Sequence, residues 1–159
     1  MNEVIIKRAI IFSLIFGALI GLISLIPALI GFCLFILAFL AGVVVIMFMK
    51  KNEKYLGIID TQQGAILGGI AGFFASVGFF ASFCPMLILI SAIFKKYYAY
   101  AIPYIIEEAL WLFFVIILMV GVMLAIFNAV GGMAMAYIYN KFEQKPENYD
   151  ARLDIKVDD

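Results

Sequence analysis

Asn128 is the one side-chain amide that lies deep inside a long uncharged stretch, and its chemistry is hydrogen bonding. An amide placed in lipid needs a partner. One reading is an interhelical hydrogen bond, contributing on the order of 0.6–2 kcal/mol; the other is a polar contact to a bound solute. Cys33 and Cys84 are the only cysteines, and they lack the spacing of a metal pair. Their chemistry is either that of small buried hydrophobes or, on an oxidising side of a membrane, a disulfide. Glu107 and Glu108 are neighbouring carboxylates, but adjacency sends them to different sides of a helix. An exposed helix start favoured by the macrodipole accounts for them better than acid–base work does. Asp60, Thr61, Gln62 and Gln63 form a polar cluster in which Asp60 or Thr61 can cap a helix. Histidine is missing from the chain, which removes the commonest general base and the commonest metal ligand. The sequence therefore nominates no catalytic, cofactor-binding or metal-binding residue, and it predicts a protein that is not an enzyme.

The elements that must position these residues are set by where charge is missing. All 11 basic and 11 acidic residues fall in four short patches, and residues 9–49, 61–94 and 109–140 carry none. About 20 apolar residues cross a hydrocarbon core of about 30 Å. The chain therefore reads as an all-α, polytopic membrane helical bundle. Its hydrophobic share of 67% supports this, since soluble domains sit near 45–50%. Net charge is zero and no basic run exceeds two residues, so there is no electrostatic footprint for nucleic acid.

Four transmembrane helices are expected, as two hairpins. Pro27 and Gly31 split the first long run into spans over 9–26 and 30–49, because proline lacks an N–H and disfavours helix at the residue before it. Lys7 and Arg8 ahead of an apolar stretch resemble the opening of a signal peptide, but the stretch is too long and no small-x-small cleavage site follows, so the first segment reads as a retained span. The third span is expected over 62–83, ended by Cys84 and Pro85. The fourth runs over 109–139, longer than a bilayer needs, so it should tilt or project. Between them, 86–104 combines a short apolar piece with Lys95, Lys96, Tyr97, Tyr98, Tyr100 and Tyr104. It reads as an outer interfacial helix, with a re-entrant segment as the alternative. Residues 140–159 read as a solvated polar tail. Nine of the eleven Lys and Arg fall on one face of this arrangement, and the positive-inside rule then puts both termini in the cytoplasm of a cell membrane.

Small residues recur at helical spacing. Ser13, Gly17 and Gly21 do so in the first span, Gly64, Gly68, Gly72 and Ser76 in the third. In the fourth, Gly121, Ala125 and Ala129 make one stripe, and Asn128, Gly132 and Ala136 another. Spacing of four puts each set on one face, where backbones can approach closely. The contacts are expected inside the bundle, or else against another subunit. A faint repeat accompanies them: Gly17 to Gly21 matches Gly64 to Gly68, and Ala41-Gly42 matches Gly131-Gly132, as parallel repeats would.

The Gly-rich first span, the Pro turn with Cys33, the Leu-Ala-Gly stretch before Lys50-Lys51, the glycines of 64–72 and Gly131-Gly132 together resemble small Gly-rich four-span bacterial integral membrane proteins of unknown function. That resemblance implies architecture, and a bacterial inner membrane as the location; it implies no activity. Two functions are expected to compete. The first is a structural or interaction protein that assembles with itself or another membrane protein through Gly-rich helix faces, with the lipid bilayer as its other partner. The second is a small channel or transporter for a neutral or lipid-like solute. Charge-free spans disfavour ion or proton coupling, and no cofactor is expected.

Overall fold

Residues 3–52, 60–94 and 101–143 are described by a computed structural model. Apolar sequence offers the backbone no water to bond, and a helix answers this by pairing its polar groups within the segment. Among the described residues the chain is helical, without strands: α1 (Glu3–Ile23), α2 (Ile30–Phe39), α3 (Ala41–Asn52), α4 (Thr61–Phe94) and α5 (Ala101–Glu143), with a 3-10 turn at Pro27–Leu29. Parts of α1, α4 and α5 are each long and apolar enough to cross a membrane; α2 and α3 pass the same test together, bent by 63°.

Two core layers set the direction of each helix. One gathers Ala9, Val45, Ile46, Leu67, Ala71 and Ala136; the other gathers Ile20, Cys33, Leu37, Ala41, Ala75 and Phe79. Thus α1 and α4 run from the first layer to the second, and the α2–α3 pair runs back. The bent pair passes from one layer to the other. α5 is antiparallel to α4, since Gly64 lies against Gly132 and Ala136 while Gly72 lies against Leu124. The first turns of α1 and α4 and the last turns of α3 and α5 consequently share one end of the bundle.

α4 is the hub. One of its faces, with Ala75, Gly78, Phe79 and Ser82, meets α1 at Leu14, Gly17, Ala18 and Gly21. A second face, with Gly64, Gly68 and Gly72, meets α5. Lipid supplies no hydrophobic drive between helices, so close approach depends on small residues. A Cβ built at Gly17 or Gly68 would fall on the backbone of Ala75 or Asn128 respectively. At Gly64 it would lie 2.5 Å from Ala136 Cβ, at Gly72 2.6 Å from Leu124 O, and at Gly121 2.9 Å from Ser76 Oγ. Gly17, Gly21, Gly64, Gly68, Gly72, Gly121 and Gly132 each lie against another helix of this same chain.

Several expected boundaries are corrected. The second span is two helices, broken at Leu40, where the Asn128 amide enters the ladder. α4 does not stop at Phe83; it continues through Cys84 and Pro85 to Phe94. A proline removes one ladder bond, and within an apolar bundle a helix tolerates that loss; Phe79 and Phe83 also stack across the preceding turn, with ring centroids 5.2 Å apart. Residues 86–94 of the expected interfacial helix therefore belong to α4, and 101–104 belong to α5. Residues 95–100, with Lys95 and Lys96, lie outside the described residues, as do 144–159 of the tail. α5 runs from Ala101 to Glu143 and so contains the span expected over 109–139; at 43 residues it is about 65 Å long, well over a bilayer's thickness.

Candidate functional site

Nothing in the local sequence stops a helix at Leu40. No proline is near, and Leu40 keeps a right-handed conformation, φ −107° and ψ −15°, a modest departure from the helical values of about −63° and −42°. The ladder continues on both sides, with Leu40 N–H donating to Ile36 O (2.9 Å) and Val44 N–H to Leu40 O (2.8 Å). Between them the ladder is interrupted, and at its middle step the partners are exchanged. In a continuous helix Gly42 N–H would bond Ala38 O. Here Gly42 N–H donates to Asn128 Oδ1 at 2.7 Å, and Asn128 Nδ2 donates to Ala38 O at 3.0 Å and to Leu37 O at 2.9 Å. The side-chain amide stands between donor and acceptor and serves each in place of the other. Insertion of a side chain into the ladder is a recognised cause of a sharp kink.

Asn128 reaches this position from α5, where Nδ2 also donates to Leu124 O at 2.9 Å. Both amide atoms are engaged and the residue is fully buried. The partners set the amide's orientation, because a flip would turn Oδ1 toward three carbonyls. Glycines make the approach feasible. A Cβ at Gly42 would lie 2.6 Å from Asn128 O, and one at Gly72 2.8 Å from Asn128 Nδ2. Gly42 and Gly132, the matched positions of the faint repeat, converge on Gly68: a Cβ on either would lie 3.1 Å and 2.9 Å from its Cα. Irregular backbone at membrane depth is tolerated where protein buries it. With Leu37, Ala41 and Asn128 all at 1% exposure or less, the break is buried in protein, and the bonds Asn128 makes to it run from one helix to another.

A second candidate site is an open cleft of about 540 Å³ between α4 and α5, walled by Phe73, Phe80, Cys84, Pro85, Phe114 and Leu118 among others. Its volume is in the range of ligand sites, about 300–1,000 Å³, but such sites carry placed polar groups that orient the ligand. Among the described residues none lines this one, and its apolar walls suit an apolar chain.

Cys33 and Cys84 are both buried free thiols; the structure has no disulfide between them. Cys33 packs beside Ala75 and Phe79, whereas Cys84 stands about 140° further round α4 from Phe79 and opens on the cleft. At the start of α4 the Asp60 carbonyl accepts Gly64 N–H (2.9 Å) while its carboxylate accepts the Thr61 hydroxyl (3.3 Å), so Asp60 holds the N-cap position. Glu107 and Glu108 lie about two turns into α5 rather than at its start. No group of three metal-ligating side chains occurs among the described residues. What sequence reasoning missed is the partner set of Asn128, the backbone of Leu37, Ala38 and Gly42; the one signal for it was that a lone amide in an apolar span must bond something.

No protein family, no curated protein and no solved structure matches this chain.

Proposed function

We propose that the chain is a membrane protein of structural or interaction type, crossing the bilayer four times as two hairpins and carrying no catalytic chemistry. The observation that carries this reading is the uneven cover of its helices. Only 11% of the most apolar window of α5 is buried within the chain, against 28% for α1 and for α4. The outer side of α5 exposes Met119, Met123, Ile126, Phe127, Val130 and Met133, while its glycines turn inward to α2, α3 and α4. Assembly through the glycine faces would have to displace helices of the same chain. The outer face of α5 is therefore the better surface for a second copy or another membrane protein.

Lys7, Arg8, Lys50, Lys51 and Lys141 all lie in the turns that share one end of the bundle, and the positive-inside rule assigns that end to the cytoplasm. The likeness to small four-span bacterial proteins points to a bacterial inner membrane. The apolar cleft between α4 and α5 favours a second reading, a binder or conduit for a neutral or lipid-like solute.

The test is a photo-cross-linking residue at Met123, with one at the equally exposed Leu19 of α1 as reference, in source membranes. Assembly through α5 predicts a discrete heavier protein product from Met123 and none from Leu19. Capture of lipid alone at both positions contradicts it.

A further inference from the structure

We propose that the second span is a two-state element and that Asn128 is its latch. With the amide inserted, the span is bent at Leu40; with the amide withdrawn, Gly42 N–H and Ala38 O pair with each other and the span becomes one continuous helix. This goes beyond the assembly reading and does not depend on it.

Hydrogen bonds to Asn128 hold the bend. Each backbone polar group in an apolar interior must be paired, and at this break the same groups have two ways of being paired. One uses Asn128, as in the structure; the other uses only the helix itself. The covalent chain favours neither, because Leu40 is already in the right-handed region and straightening asks for rotations of only about 45° in φ and 30° in ψ toward the helical values. A proline at this position would have made the bend permanent. The amide makes it conditional.

The two arms are held unequally. Ala41, Gly42, Val45 and Ile46 of α3 are buried, so α3 is fixed in the bundle. In α2 only Cys33 and Leu37 are buried, while Phe32, Leu34, Phe35 and Phe39 face outward. Moving those two side chains into lipid carries no hydrophobic penalty of the kind water imposes. α2 is therefore the arm that moves. Its ten residues make a lever of about 15 Å, and closing a bend of 63° displaces its Pro27 end by a distance on the order of 15 Å. That swing opens the second core layer sideways, uncovering Ile20, Ala75 and Phe79.

The experiment places spin labels at Phe32→Cys on α2 and Leu89→Cys on α4, both exposed, with Cys33 and Cys84 replaced by alanine, in lipid nanodiscs. The unmodified Asn128 background should give one distance. Asn128→Leu should shift the distribution on the order of 10 Å or more while the Gly42 amide stays protected from hydrogen exchange, now through Ala38 O. An unshifted distance in the folded variant overturns the proposal. If Asn128→Leu does not fold, Asn128→Asp serves: protonated, it keeps an O–H donor and a C=O acceptor; ionised, it turns two oxygens on the carbonyls of Leu37 and Ala38. Raising the pH through its deprotonation, followed by the infrared carboxyl band, should move one folded sample from the first distance to the second. A distance constant through that transition overturns the proposal equally.

Discussion

The backbone N–H of Gly42 donates to Oδ1 of Asn128 at 2.7 Å, joining positions 86 residues apart. Gly42 is the second residue of α3 and Asn128 lies in the later half of α5, so one hydrogen bond ties the break in the second span to the opposite helix. Two conditions had to hold together: a side chain short enough to lie flat between two half-helices, and a residue without a Cβ at the point of contact.

The second condition is testable by adding one methyl group. A Cβ at Gly42 would lie 2.6 Å from Asn128 O, whereas one at Gly69 finds its nearest atoms at 3.7 Å. Gly42→Ala should therefore lose about 1–3 kcal/mol to overpacking, and Gly69→Ala should be neutral or gain up to about 1 kcal/mol from helix propensity. Unfolding in graded detergent mixtures reads both; equal effects would contradict the contact geometry.

Truncating the amide separates a tertiary hydrogen bond from a local one. Asn128→Ala should cost about 0.5–2 kcal/mol, the net worth of the tertiary hydrogen bonds it removes, since Gly42 N–H and Ala38 O can then pair with each other. Ser13 is as deeply buried, yet its hydroxyl bonds only Ala9 O one turn back in α1 (2.6 Å). Ser13→Ala should be close to neutral, since such back-bonds slightly destabilise a helix. The same unfolding assay decides; a larger loss at Ser13 than at Asn128 would count against the latch.

These sites show what could be read from sequence alone. Charge-free runs located the apolar helices, because the transfer cost of charge is a property of composition. The stripe Gly64, Gly68, Gly72 was visible because its period is that of the helix carrying it. The break at Leu40 was not visible, because its cause lies at Asn128 and no residue between Phe39 and Ala41 signals it. Pro85 misled in the opposite sense: a local stop signal was overridden by the bundle around it. That Asn128 needed a partner was legible; that the partner was backbone was not, since all residues carry the same backbone.

The thiols should be reduced and separate. Cys33 and Cys84 point from α2 and α4 into different surroundings, so denatured protein prepared without reductant should titrate two thiols per chain. One shifted non-reducing band that collapses on reduction would contradict the placement of Cys84 on the cleft.

Pro85 offers a stabilising change. It stands inside α4, where proline in a helix interior costs up to about 3 kcal/mol relative to alanine. Pro85→Ala should restore the bond to the Ala81 carbonyl and raise the unfolding temperature. A fall would show that the ring is needed to fill the cleft wall it lines.

α4 holds the bundle by backbone-to-backbone approach along Gly64, Gly68 and Gly72. The most direct measurement compares the thermal stability of Gly68→Leu and Gly31→Leu in one detergent. The same four carbons are added in each, but a Cβ at Gly68 meets the backbone of Asn128 and Gly132, while a Cβ at Gly31 finds nothing within 4 Å. The predicted result is a loss of at least about 1–3 kcal/mol for Gly68→Leu with Gly31→Leu unchanged; equal stability of the two variants would contradict the packed glycine face.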